Sequence, residues 1–108
     1  MPRSEQTFLF ADLVGFTALT EHEGDERALE VALELQRRAG GLLAEHGVEK
    51  VKSIGDGLML RSANPQDAIR LGLQLVHQLA DQADFPAVRI GIHTGAALSN
   101  EATGTAGQ

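Results

Sequence analysis

Short apolar runs alternate along this chain with longer segments in which apolar residues recur at helical spacing. The short runs predict strands, in chain order at 7–13, 48–54, 58–60 and 87–93. In the first of these, Phe8 and Phe10 lie on one side, and Leu9, Ala11 and Leu13 lie on the other. Because both sides are apolar, the pattern predicts a strand buried on both faces.

Two segments predict amphipathic helices because apolar side chains recur in them every three or four residues. The first covers 25–44, with Gly47 as the expected stop, and its acidic residues are expected to form a solvated face. The second runs from Pro65 to about Gln82, with Asn64 as N-cap. The apolar stripe of the first comprises Ala28, Ala32, Leu35, Ala39 and Leu42; its acidic face comprises Asp25, Glu26, Glu30 and Glu34. The face of the second comprises Ala68, Leu71, Leu75 and Leu79, widened by Ile69, Val76 and Ala80.

The order of the predicted elements is β, α, β, β, α, β. This order favours an α+β fold of the ferredoxin-like βαββαβ type, an antiparallel sheet with two helices on one face. A length of 108 residues with 43% apolar content suits a single domain. We expect an N-terminal lead at 1–6, the domain at 7–98, and a flexible polar tail at 99–108, where periodicity disappears.

Composition narrows the classes of partner. The formal charge is −6 and the basic residues are scattered, so a nucleic acid backbone would be repelled. Cysteine is absent, which excludes disulfides and thiolate metal ligands, and the polar start of the chain resembles neither a signal peptide nor a membrane span. These features predict a cytoplasmic protein with no nucleic acid partner and no membrane segment.

Asp12 and Asp56 each end an apolar run beside glycine. Carboxylates at neighbouring strand ends form a hard-oxygen site suited to Mg²⁺ or Mn²⁺. Gly15 lies in a turn before the first helix, where backbone N–H groups can bind phosphate. The residues therefore suggest a metal-dependent nucleotide site. Taken alone they also fit two solvated turn aspartates and an ordinary tight turn at Gly15.

Three segments, 8–17, 52–57 and 88–95, together resemble the catalytic domain of class III nucleotidyl cyclases, the adenylate and guanylate cyclases. The resemblance covers most of the chain and implies a partial cyclase catalytic domain over 7–98. It implies that Asp12 and Asp56 are catalytic ligands of two Mg²⁺ or Mn²⁺ ions, joined by the backbone carbonyl of Leu13.

The resemblance also assigns residues to the substrate. Gly15, Phe16 and Thr17 would present backbone N–H groups to the triphosphate. Lys52, four residues before Asp56, matches the family position that selects adenine, which implies ATP as substrate. Two alternatives stay open, because Thr17 could be a helix cap and Lys52 could be a solvated lysine beside Lys50, predicted on the same face.

The implied activity is the conversion of ATP to cyclic AMP and pyrophosphate in signal transduction. The family's other half-site has an Asn followed four residues later by an Arg, whereas Asn100 is followed by Gly104 and no Lys or Arg follows Arg89. We therefore expect little or no activity from the chain alone.

In the resembled family, active sites form between two subunits. We accordingly expect a homodimer, or a heterodimer with an intact cyclase domain. The alternative is a non-catalytic pseudocyclase or interaction module that pairs with an intact cyclase subunit. Diguanylate cyclases share the layered fold, but Lys52 and the glycine-rich 55–57 turn favour an adenylate cyclase over a diguanylate cyclase.

Overall fold

The computed structural model describes residues 5–96, which form four strands and two helices. Within this range the strands make one antiparallel sheet in the order β2-β3-β1-β4, and both helices pack on one of its faces. The elements are β1 (Glu5–Leu13), α1 (Phe16–His46), β2 (Val48–Ile54), β3 (Gly57–Ser62), α2 (Pro65–Ala80) and β4 (Val88–Ala96). The predicted ferredoxin-like α+β fold is confirmed.

Pairing between strands extends the elements beyond their apolar runs. β1 begins at Glu5 and β4 continues to Ala96 because these two residues are partners in the antiparallel register. The predicted lead at 1–6 is therefore too long by two residues. β3 likewise runs on to Ser62, which is opposite Thr7. The predicted tail at 99–108 lies outside the described residues.

Helix α1 begins nine residues earlier than predicted and contains a kink. Its backbone is helical on both sides of Gly24, which has φ 89° and ψ 168°, a conformation that glycine adopts without steric strain. The apolar stripe belongs to the part after the kink, so periodicity could not reveal the helical turns before it. At the other end the helix stops at Gly47, as predicted, with φ 67° in the left-handed region.

The core lies between the helices and one face of the sheet. Leu9, Leu35 and Leu71 are fully buried there, one each from the sheet, α1 and α2. The predicted apolar faces of both helices point into this core, but Ile69 and Val76 lie on the outer side of α2 and are exposed. Their predicted burial is wrong, as is that of Ala80, because one sheet face covers only a narrow stripe of each helix. Within the described range, neither helix combines the length and hydrophobicity needed to cross a membrane.

The opposite face of the sheet, which we call the open face, has no helix on it within residues 5–96. Phe10 lies on this face and is 42% exposed. The prediction that β1 is buried on both faces is therefore wrong, because both helices pack on the side of Leu9. The open face is instead an accessible surface that ends at Asp12.

Glu34 connects α1 to the end of α2 and is not on a solvated face as predicted. Its carboxylate accepts hydrogen bonds from Arg38 and Arg37, each at 2.8 Å, and from Gln82 at 2.7 Å. Only 21% of its side chain is exposed. The hydrogen bond from Arg38, with those from Gln82 and Arg37, lowers the pKa of Glu34 to about 2.

We predict that Glu34→Gln lowers the free energy of unfolding by about 1 kcal/mol near neutral pH. Because the folded-state pKa lies below the ordinary value of 4.5, the carboxylate stabilises the fold above that pH, and the contribution is lost as pH falls toward 2. Urea unfolding of both proteins, near neutral pH and at about pH 3, measures this difference. Glu30→Gln, at a more exposed carboxylate of the same helix, is the control. A difference that is unchanged at low pH contradicts the prediction.

Candidate active site

Asp56 lies in the tight turn between β2 and β3, and this turn folds onto the end of β1. Its Oδ2 accepts a hydrogen bond from the backbone N–H of Leu13 at 3.3 Å. Leu13 directly follows Asp12, so the structure brings the two aspartates to the same end of the sheet. The expected proximity of the two residues is therefore present, and Leu13, the third expected ligand, directly follows Asp12 and donates its N–H to Asp56.

Gly57 allows this close approach because β3 begins against β1 at that residue. A Cβ atom built on Gly57 would lie 2.9 Å from the Cβ of Asp12 and would also overlap the carbonyl oxygen of Ala11. Real side chains do not tolerate such contacts, so a larger residue would push the turn away from β1. The distance between Asp56 and Asp12 thus depends on Gly57. From the sequence alone, this glycine is predicted only to form part of a turn.

Arg89 is a third charged residue at this end of the sheet. It is opposite Asp12 in the β1–β4 register, and its Nε and Nη2 donate to Oδ1 and Oδ2 of Asp12, each at 3.2 Å. These hydrogen bonds and the charge of Asp12, with a smaller contribution from the charge of Asp56, raise the pKa of Arg89. Sequence reasoning missed this role because only the register between β1 and β4 reveals it.

Helix α1 starts at Phe16, three residues after Leu13, so its N-terminus follows directly on the strand end that carries Asp12. Gly15 is the N-cap at φ 72° and provides no side-chain cap, and the first turn contains no acidic residue. The first helical hydrogen bond runs from the N–H of Leu19 to the carbonyl of Gly15, at 2.9 Å. The N–H groups of Phe16 and Thr17 come before Leu19 in the chain, so they have no acceptor within the helix, and they lie at the positive end of the helix dipole. Thr17 is inside the helix, so the alternative that it caps the helix is wrong.

Lys52 faces the same side of the sheet as Asp12 because β2 contains a bulge. Lys50 is opposite Leu60 but Lys52 is opposite Met59, with a register shift between them. Leu60 points into the core and Met59 to the open face, so the two lysines lie on opposite faces. The prediction that they share a face is wrong, because the bulge interrupts the two-residue alternation.

An apolar strip on the open face connects Lys52 to the strand that carries Asp12. Met59 is the cross-strand partner of both Lys52 and Phe10. Residues 5–96 contain no group of three or more His, Cys, Asp or Glu side chains that could hold a metal ion, so the two aspartates have no third such side chain beside them. A divalent ion here would therefore need backbone, water or substrate oxygens to complete its coordination.

Comparison with known families agrees with this geometry. Residues 2–105 match the model of the adenylate and guanylate cyclase catalytic domain. The chain therefore belongs to the adenylate and guanylate cyclase family, and the resemblance seen in the sequence is confirmed.

Two adenylate cyclases illustrate the relationship. One from Streptomyces griseus is 33% identical over 86 residues, which make up 80% of this chain and 22% of that protein. A pH-sensitive adenylate cyclase from Mycobacterium tuberculosis is 37% identical over 100 residues, 92% of this chain and 25% of that protein. The chain thus spans about a quarter of the length of these relatives.

Solved cyclase structures share the fold. An adenylate cyclase from Trypanosoma brucei, solved in its monomeric state, aligns with a TM-score of 0.81 at 20% identity, covering 90% of this chain and 59% of that one. The guanylate cyclase domain of a protein from Catenaria anguillulae, in complex with GTP, aligns with a TM-score of 0.77 at 19% identity, covering 86% and 57%. The sheet and two helices described here therefore have the architecture of a cyclase catalytic domain.

We predict that Gly57→Ala lowers the free energy of unfolding by about 2 kcal/mol, because the new methyl group overlaps β1 and displaces the turn. The matched control is Gly91→Ala on β4, where a Cβ would meet no atom within 4 Å. Chemical denaturation of the two variants and the unchanged protein measures the effect. Equal stability of the two variants would show that β3 does not need a glycine at this contact.

Proposed function

We propose that this chain is the metal-binding and nucleotide-binding part of an adenylate cyclase, acting in the conversion of ATP to cyclic AMP and pyrophosphate. The observation that carries the proposal is the convergence of Asp12 and Asp56 through the Leu13 hydrogen bond, close in the chain to a helix N-terminus that has no side-chain cap. Carboxylates and a positive helix end together suit a magnesium triphosphate better than either feature alone.

The donor set fits Mg²⁺ or Mn²⁺. Asp12 and Asp56 would hold two such ions through hard carboxylate oxygens, and the backbone carbonyl of Leu13 would complete the protein's share. When bound, the ions supply Lewis acidity to the ribose hydroxyl and to the phosphates. The hydrogen bond from Leu13 to Asp56 fixes one carboxylate, and the contact at Gly57 holds its turn in place.

The remaining residues would orient the nucleotide. Backbone N–H groups of Gly15, Phe16 and Thr17 would bind phosphate oxygens, supported by the helix dipole. The ammonium of Lys52 only donates hydrogen bonds, so it suits the acceptor on the adenine edge and opposes the donor that guanine has there. The family contains cyclases of both nucleotides, and we propose ATP because of Lys52.

We further propose that the chain works with a second subunit and turns over slowly on its own. The open face, with Phe10 and Ile54 exposed, is the surface on which another cyclase domain would lie. That subunit, a second copy or an intact cyclase domain, would place catalytic groups opposite the carboxylates. The stabilising Asn and Arg expected of the family are not matched by Asn100 and Gly104.

We predict that Asp12→Asn and Asp56→Asn each weaken binding of Mn²⁺ and of a non-hydrolysable ATP analogue by at least about tenfold, since each removes a charged ligand. Isothermal titration calorimetry with and without Mn²⁺ measures both affinities. Asparagine keeps an oxygen that can accept the hydrogen bond from Leu13, so the Asp56 variant should stay folded.

Asp25→Asn is the matched control, because it removes one exposed carboxylate from α1 away from the candidate site. It should leave metal and nucleotide affinity unchanged. Binding that is insensitive to both site variants would refute the metal assignment. If the chain then alters cyclic AMP production by an intact cyclase subunit, the alternative of an interaction module is supported instead.

We predict that Lys52→Ala reduces the preference for ATP over GTP analogues by about tenfold, because a charged hydrogen bond to the base is lost. Lys50→Ala is the control: it removes an equal charge two residues away, but from the helix-covered face, where Lys50 donates to Gln36 at 3.3 Å. Competition binding with the two nucleotides gives the ratio for each variant. Equal ratios in both variants would exclude a base-selecting role for Lys52.

A further inference from the structure

Arg89 and a metal ion would need the same oxygen atoms. The guanidinium donates to both Oδ1 and Oδ2 of Asp12, so neither oxygen of this carboxylate is without a hydrogen bond. A divalent ion bound by Asp12 must take at least one of them. The ion also carries two positive charges, and its approach to the guanidinium is repulsive.

The side chain of Arg89 has space to leave Asp12. It is 69% exposed, so departure removes little packing. Gly91, the next residue of β4 on the open face, has no side chain, and a Cβ there would meet no atom within 4 Å. Arg89 therefore has one strong local interaction, the ion pair, and open surface around it.

We propose that Arg89 competes with divalent ions for Asp12 and thereby sets the metal concentration at which the site fills. The inference rests on the proposed metal site. Arg89 affects how readily Asp12 can bind a metal ion. Its role is therefore to control the occupancy of the metal site and not to react with substrate. The ion pair keeps Asp12 positioned at low metal concentration, and metal binding releases the guanidinium.

The test measures Mn²⁺ affinity by electron paramagnetic resonance in the absence of nucleotide. We expect Arg89→Ala to bind Mn²⁺ about fivefold more tightly than the unchanged protein, as the loss of an exposed bidentate ion pair predicts. Arg61→Ala is the matched control, because Arg61 lies on the same face, pairs with Glu49 and is opposite Phe8, four residues before Asp12 on β1. It removes the same charge from the same surface.

A second readout follows the guanidinium itself. In the unchanged protein, Mg²⁺ should shift the NMR signal of the Arg89 Nε–H toward that of a free arginine, and Asp12→Asn should produce that shift without metal. Equal Mn²⁺ affinity of the Arg89 and Arg61 variants, or an Nε–H signal insensitive to Mg²⁺, overturns the inference while leaving the metal site intact. If Asp12→Asn and Asp56→Asn leave the Mn²⁺ affinity unchanged, the proposed function fails as well.

Discussion

The close contact between the start of β3 and the end of β1 is the constraint on which the candidate site depends. At Gly57 the two backbones approach so closely that no side chain fits between them. The turn that precedes Gly57 therefore lies directly over β1, and the carboxylate of Asp56 can accept the hydrogen bond from Leu13. Without that contact, Asp12 and Asp56 would be two unrelated aspartates at the ends of strands.

The division of the sheet into a covered and an open face determines which residues are available to ligands. Both helices bury the side of Leu9, so Phe10 and Asp12 remain accessible on the other side. The bulge in β2 adds Lys52 to that accessible side and leaves Lys50 facing the helices. One irregularity in one strand thus decides which of two similar lysines lies on the open face, beside the strand end that carries Asp12.

Bidentate or clustered ion pairs occur both at the candidate site and between the two helices. At the candidate site, Arg89 neutralises Asp12 and also interacts with the charge of Asp56. Between the helices, Glu34 accepts hydrogen bonds from Arg38, Gln82 and Arg37 and links α1 to the end of α2. The first of these pairs is mostly exposed and can exchange partners, whereas the second is largely enclosed and serves stability.

The sequence by itself determined the order and type of the elements, the buried stripe of each helix, the caps at Asn64 and Gly47, and the two aspartates as candidates. These follow from local periodicity and turn chemistry, which act over a few residues. Only the tertiary structure decided that β1 is covered on one face, that Lys52 and Lys50 diverge, and that Arg89 contacts Asp12. Each of these depends on strand register and on which face the helices cover, and such pairings join residues far apart in the chain.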